Sequence, residues 1–262
     1  MSSPQHVSAS KDVQLDRKVA IVTGAGGGIG SAICQRLAAD GWAVVLSSRT
    51  DKAAADVLGR CRALGVPADI VAGDITEAHY VRKLVAFAVE RYGRLDGFVA
   101  NAGAAGRLEP VDEYPEDVFD LVMNVNVRGT FLALKHALPA LRASGAGSFV
   151  AIASTSAIRG RANLSAYVAS KHAVLGLVRS AALEAIGTGA RVNAVLPGPI
   201  QTPMIDALND MAKSRGKGIA RATAAPYGHP ADVANTVAFL LAGESSHMNG
   251  ASIVLDAGST VA

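Results

Sequence analysis

The sequence predicts an α/β domain, a doubly wound parallel sheet of about seven strands with helices on both faces. Three observations carry this. Short runs of branched apolar residues recur along the chain, as strands buried on both faces require. Longer stretches with apolar residues at helical spacing separate them. A glycine-rich turn joins the first such run to the first helix. Strands alternating with helices of this length imply parallel pairing through right-handed crossovers.

Bulk properties narrow the function classes. The 262 residues are 50% hydrophobic and 18% charged, enough apolar side chain for one large core. Residues 1–16 read as a flexible polar tail without the apolar core of a secretion signal, leaving 17–262 as a single domain. No apolar run approaches the ~18 residues of a membrane span. A cytoplasmic protein with no membrane partner is the expectation. The net charge of +3 comes from scattered Lys and Arg, which makes no electrostatic case for nucleic acid. The six histidines never approach metal-ligand spacing, so no metal site is expected. Cys34 and Cys61 fall in expected helices and read as small core fillers in a reducing compartment.

In order, residues 18–23 form the first strand, followed by Thr23-Gly24, Gly28 and Gly30 in a T-G-x3-G-x-G turn. Ile29, Ile33 and Leu37 open the first helix at helical spacing. Strand, glycine turn and helix make the dinucleotide-cradling, Rossmann-like arrangement, in which small residues let the backbone approach a pyrophosphate at the helix N-terminus. Residues 43–47 give the second strand. It ends at Ser48-Arg49 with no acidic residue, which favours the 2′-phosphate of NADP over the free hydroxyl of NAD.

A helix over 53–64 precedes the third strand at 68–73. Asp74 follows, placed either to accept from an adenine amino group or to cap the helix over 76–92. The fourth strand, 95–100, runs into Asn101-Ala102-Gly103. Residues 115–144 are mostly helical in pattern, with Asn124, Asn126 and Gly129 breaking propensity in the middle and Pro139 positioned to kink or shorten the end. The fifth strand, 147–153, delivers Ser154, Thr155 and Ser156 at its carboxyl end. Read as strand, Ser154 and Ser156 share a face. A helix over 165–186 carries Tyr167 and Lys171 one turn apart on one face. A cation beside a phenol lowers its pKa, as a proton donor to a carbonyl requires. Strand six is 191–196, Pro197-Gly198-Pro199 breaks the chain, and the last strand is 250–256. Residues 200–227, with apolar Met204, Ile205, Leu208 and Met211 and flanking Gly216 and Gly218, suit a mobile lid over a substrate cleft.

Thr23-Gly24-x3-Gly28-x-Gly30, Asp74, Asn101-Ala102-Gly103, Asn126, Ser154, Tyr167-x3-Lys171 and Pro197-Gly198-x3-Thr202 occur in an order and at separations that resemble the short-chain dehydrogenase/reductase family over residues 17–258. The four-residue Tyr–Lys spacing resembles its carbonyl reductases more than its enoyl reductases. Ala100 and Ala257 depart from common family residues. The resemblance implies hydride transfer between NADP(H), or possible NAD(H), and a carbonyl or secondary alcohol. Tyr167 is then the acid/base and Ser154 a hydrogen-bond donor to the substrate oxygen. Lys171 lowers the Tyr167 pKa and holds the nicotinamide ribose, and Asn126 retains a water beside Lys171. Ser154 is favoured over Ser156 because it lies thirteen before Tyr167. Cofactor contacts are implied for Thr23, Gly24, Gly28, Ile29, Gly30, Ser48, Arg49, Asp74, Ile75, Asn101, Ala102, Gly103, Tyr167, Lys171, Pro197, Gly198, Ile200 and Thr202.

The expected substrate pocket is Ala104, Ala105, Ala157, Ile158, Leu164, Met204 and Leu208, apolar and without convergent charge, suiting an apolar or cyclic small molecule. An inward Arg159 or Arg161 would contradict that. Two other readings stand beside this one. One is a 3-oxoacyl thioester reductase that meets an acyl carrier protein through basic residues near Arg221. The other is an NADP-binding regulator without turnover. The resemblance also implies a homotetramer, or a dimer, built on the helices at 115–144 and 165–186, where Val174, Leu175, Leu177 and Val178 place apolar residues on more than one face.

Overall fold

The computed structural model describes residues 17–214 and 227–261. Every position of β1 (Val19–Thr23) is buried, because alternate side chains enter two different cores. Val19 and Ile21 pack on one face of the sheet and Ala20 and Val22 on the other. The rest of the sheet is β2 (Ala43–Ser48), β3 (Ala68–Ala72), β4 (Gly97–Ala100), β5 (Ser148–Ile152), β6 (Arg191–Pro197) and β7 (Ser252–Leu255). All pairs are parallel, in the order β3-β2-β1-β4-β5-β6-β7. The expected doubly wound sheet of seven strands is present.

One face is covered by α1 (Gly28–Ala39), α2 (Asp51–Ala63) and α8 (Pro230–Leu241). The other is covered by α3 (Ala78–Tyr92), α5 (Gly129–Ala143) and α6 (Ser165–Ala185). Phe98 and Phe149, directly paired across β4 and β5, stack with ring centroids 5.4 Å apart. Such a pair contributes about 0.5–1.5 kcal/mol beyond its buried area. Chain order reverses between β1 and β4, which opens a crevice beyond the carboxyl ends of those strands. No helix among the described residues is long and apolar enough to cross a membrane.

Three features differ from expectation. α8 was not anticipated, although its start signals are present: Pro230 in the first turn and Asp232, whose carboxylate accepts the His229 N–H at 2.8 Å. Between α4 (Glu116–Met123) and α5, residues Asn124–Arg128 form a π-helical turn, so the stretch read as one helix carries an inserted residue at the propensity break of Asn124 and Asn126. Pro139 lies inside α5, which continues past it to Ala143. The expected lid holds α7 (Pro203–Ser214), while Arg215, Gly216, Lys217, Gly218 and Arg221 lie outside the described residues.

Arg191 ties β6 to the end of α8. Its buried guanidinium donates to the carbonyls of Ser245 at 3.0 Å, Leu240 at 3.0 Å and Ala242 at 3.2 Å. Cys34 and Cys61 are free and buried, and burial pushes both thiols up, Cys61 to about 11. Both are unreactive core residues.

Candidate active site

The glycine turn is shaped by close backbone approach. Gly24 has φ +64°, a left-handed conformation that side chains disfavour. A Cβ on Gly30 would lie 2.2 Å from the Gly24 carbonyl oxygen, so only glycine lets α1 start this near β1. Thr23 fastens the turn to β4. Its hydroxyl accepts the N–H groups of Asn101 at 2.9 Å and Ala102 at 3.0 Å and donates to the Val99 carbonyl. Asn101 returns the contact, its Nδ2 donating to the carbonyls of Thr23 at 2.9 Å and Gly24 at 3.2 Å. Thr23 and Gly30 therefore set the shape of the turn and do not line the cleft.

Beyond these strand ends lies a cleft of about 1030 Å³. Of the expected residues, its walls include Gly24, Gly28, Ile29, Arg49, Asn101, Ala102, Gly103, Ser154, Leu164, Tyr167, Lys171, Pro197, Gly198, Ile200, Thr202, Met204 and Leu208. At one end Gly27 caps α1 with no side-chain cap and no acidic residue in the first turn. The unpaired N–H groups there, beside the open space at Gly27, fit a cofactor pyrophosphate.

At the other end α6 presents Tyr167 and Lys171. Lys171 is buried, its Nζ donating to the Ile152 carbonyl at 2.9 Å and standing 5.6 Å from the Tyr167 ring centroid. Burial depresses its pKa to about 8. Burial raises the Tyr167 phenol, while a hydrogen bond from Ser154 and the charge of Arg161 pull it back down. The sequence reading assigned that lowering to Lys171. In the structure the phenol is raised on balance, with burial the largest cause and Ser154 and Arg161 the groups that lower it.

Ser154 lies just past β5, at the strand's carboxyl end as expected. It caps a tight 3-10 turn (Thr155–Ala157), accepting the Ser156 N–H at 3.1 Å. That turn sends Ala157 into the core and Ile158 to solvent, so neither lines the cleft, and brings Thr155, Ser156, Arg159 and Arg161 to its wall. Ala105 packs beneath α7 with Leu108, Leu164 and Leu208.

The Asn126 Oδ1 accepts the Ala104 N–H at 2.8 Å, and its Nδ2 donates to the Ala104 carbonyl at 2.9 Å and to Ser170 Oγ at 2.9 Å. The side chain clamps the strand-four loop to α6. Asp74 turns its carboxylate to the Thr76 N–H at 2.8 Å and hydroxyl at 2.9 Å, forming a local turn before α3 outside the cleft wall. Ser48 donates to the Thr50 carbonyl at 2.6 Å, and Ile75 packs against Gly129 and the core. No group of metal-ligating side chains occurs among the described residues. Arg159, Arg161 and His229 are cleft residues that the motifs did not indicate, since loop charges carry no periodic signal.

Known proteins share this architecture. A family model described as enoyl-(acyl carrier protein) reductase matches residues 24–260. Cyclohexanol dehydrogenase of Acinetobacter sp. is 36% identical over 93% of this chain and 95% of its own. An actinorhodin polyketide ketoreductase solved with NADPH is 32% identical, with a TM-score of 0.88 over 93% of this chain and 97% of that one. Carveol dehydrogenase from Mycobacterium avium, solved with NAD, superposes with a TM-score of 0.89 at 27% identity over 95% of this chain and 99% of that one. With sequence match and fold agreeing over nearly the whole described length, and with Tyr167 and Lys171 a turn apart in the cleft, the chain belongs to the short-chain dehydrogenase/reductase family.

Proposed function

We propose that this protein is an oxidoreductase that interconverts a carbonyl and a secondary alcohol on a largely apolar or cyclic small molecule, using a nicotinamide cofactor. The observation that carries this is the meeting of Ser154, Tyr167 and Lys171 at one end of a cleft whose other end is the open N-terminus of α1. Gly27, Gly28, Asn101–Gly103, Lys171 and Thr202 would hold the cofactor, which when bound supplies or accepts the hydride. Tyr167 keeps its proton through neutral pH because burial raises its pKa, and it donates that proton to the substrate oxygen. Ser154 steadies the same oxygen as negative charge develops. The relative whose name specifies cyclohexanol supports a cyclic substrate.

Arg49, at the cleft wall where the β2 end lacks an acidic residue, favours NADP over NAD. α7, packed by Leu208 and Ala212 over Leu164 and Leu108, acts as the substrate lid. A homotetramer or dimer is supported by exposed Phe119, Leu121 and Phe131 along α4 and α5. Val174, Leu175 and Val178, expected at such an interface, are instead buried in the chain's own core. Sedimentation showing only monomer would remove the assembly. The buried free thiols suit a reducing, cytoplasmic setting.

A steady-state screen of cyclic ketones and alcohols with NADPH and NADH tests the activity. Turnover of neutral cyclic ketones is expected. Turnover confined to carrier-bound 3-oxoacyl thioesters would favour the carrier-protein reading, and turnover of enoyl thioesters would favour the activity that the matched family model describes, against which the Tyr167–Lys171 spacing argues. Tight NADPH binding with no turnover across the panel would favour a regulator.

A further inference from the structure

The cleft wall beside Tyr167 carries two guanidinium groups, Arg159 and Arg161, among the apolar side chains of Leu164, Met204 and Leu208. This contradicts an uncharged pocket. Neither arginine has an ion pair among the described residues. Arg159 is fixed to the C-terminal turn, its two terminal nitrogens donating to the Ser259 carbonyl at 2.6 Å and the Ser259 hydroxyl at 3.3 Å. Its Nε is buried and unpartnered.

Arg161 has no such anchor. It is half-buried, repelled by the charge of Arg159, and close enough to Tyr167 for the two to interact electrostatically. The two carboxylates of the cleft wall are engaged elsewhere. Asp232 accepts the His229 N–H, and Asp256 accepts from the Gly258 N–H at 3.0 Å and the Ser259 hydroxyl at 2.9 Å. Partly desolvated like charges without a counterion are costly, and proteins keep them where an anion arrives from outside.

We propose that Arg161, backed by Arg159, is a carboxylate-binding subsite, and that the preferred substrate is an apolar or cyclic ketone or alcohol bearing a carboxylate. The inference rests on the reductase reading above. A guanidinium fork matches the two oxygens of a carboxylate, and the apolar wall receives the ring. Because Arg161 lies near Tyr167, a carboxylate seated there sets which substrate carbon faces the proton donor. Arg161 is thus a specificity-determining residue.

The test uses the full chain with NADP(H) bound. Isothermal titration compares cyclohexanecarboxylate with cyclohexanecarboxamide, and kinetics compare 4-oxocyclohexanecarboxylate with its methyl ester. The wild type should favour the acid in both assays. Arg161→Gln should lower that acid preference by roughly ten- to a hundred-fold, with Arg161→Lys retaining part of it. A wild type that binds the acid no tighter than the amide overturns the proposal without any variant, as does an acid preference unchanged in R161Q. Turnover of neutral ketones with no advantage for the acid overturns the subsite and leaves the reductase reading standing. Arg161-dependent binding of the acid without turnover of any ketone sinks the reductase reading and supports the anion site.

Discussion

Asn126 and Ala104 exchange two hydrogen bonds, the Ala104 N–H donating to Oδ1 at 2.8 Å and Nδ2 donating to the Ala104 carbonyl at 2.9 Å. An amide side chain thereby acts as a strand partner for one loop residue, while its remaining donor reaches Ser170 on α6. Asn126→Ala leaves the Ala104 groups unpaired and should destabilise the protein by about 1–3 kcal/mol. Urea unfolding measures it, and an unchanged midpoint would show that the loop is held by other contacts.

Tyr167→Phe removes the proton and little volume. Turnover should fall by about 10²–10⁴-fold while NADPH binding, followed by fluorescence, is kept. Activity near the wild-type level would overturn the mechanism.

Arg49→Ala tests cofactor choice. The KM for NADPH should rise about ten-fold and that for NADH barely move, since only the 2′-phosphate loses a charged partner. Equal effects on both cofactors would remove the case for NADP.

Lys171 makes stability depend on pH. Its folded pKa is about 8 against an ordinary 10.5, so between these values the unfolded chain holds a proton that the folded chain has released. Stability from this group therefore rises as pH increases through that window and is lowest below pH 8. Unfolding midpoints at about pH 7.5 and 10 should show this increment in the wild type and lack it in Lys171→Met. The same pH increment in both proteins would place the titration elsewhere.

Arg191→Leu removes one donor from each of the carbonyls of Leu240, Ala242 and Ser245, which keep the Ser148 hydroxyl, the Ser245 hydroxyl and the Met248 N–H respectively. A loss of about 1–3 kcal/mol is expected from the lost charge-assisted hydrogen bonds, with hydrogen exchange fastest at the end of α8. Protection of α8 at wild-type levels would contradict the clamp.

Much of this was legible in the sequence because strands buried on both faces leave unbroken apolar runs, and because the Gly24–Gly30 turn and the Tyr167–Lys171 spacing each serve one geometry. What motifs do not carry is direction. Asn126 stood out by position, yet its amide faces Ala104 rather than solvent. Ala157 and Ile158 were expected in the pocket as apolar residues close after Ser154, and the 3-10 turn there sends one to the core and the other to solvent. Arg161 sits in a loop, where neither periodicity nor spacing distinguishes a charge turned inward from one in water.

The π-helical turn at Asn124–Arg128 has a mutational consequence. A helix holding one residue too many is repaired by deletion, and removing Val125 would restore regular winding. The same deletion would leave α4 and α5 near their present mutual rotation, since the π-turn alone absorbs the extra residue, and would carry the Asn126 side chain, which lies in that turn, off Ala104. Shortening the chain by one residue would thus improve the helix as a helix and unmake the loop beside the cleft, so drift toward local regularity at this point runs against retention of function.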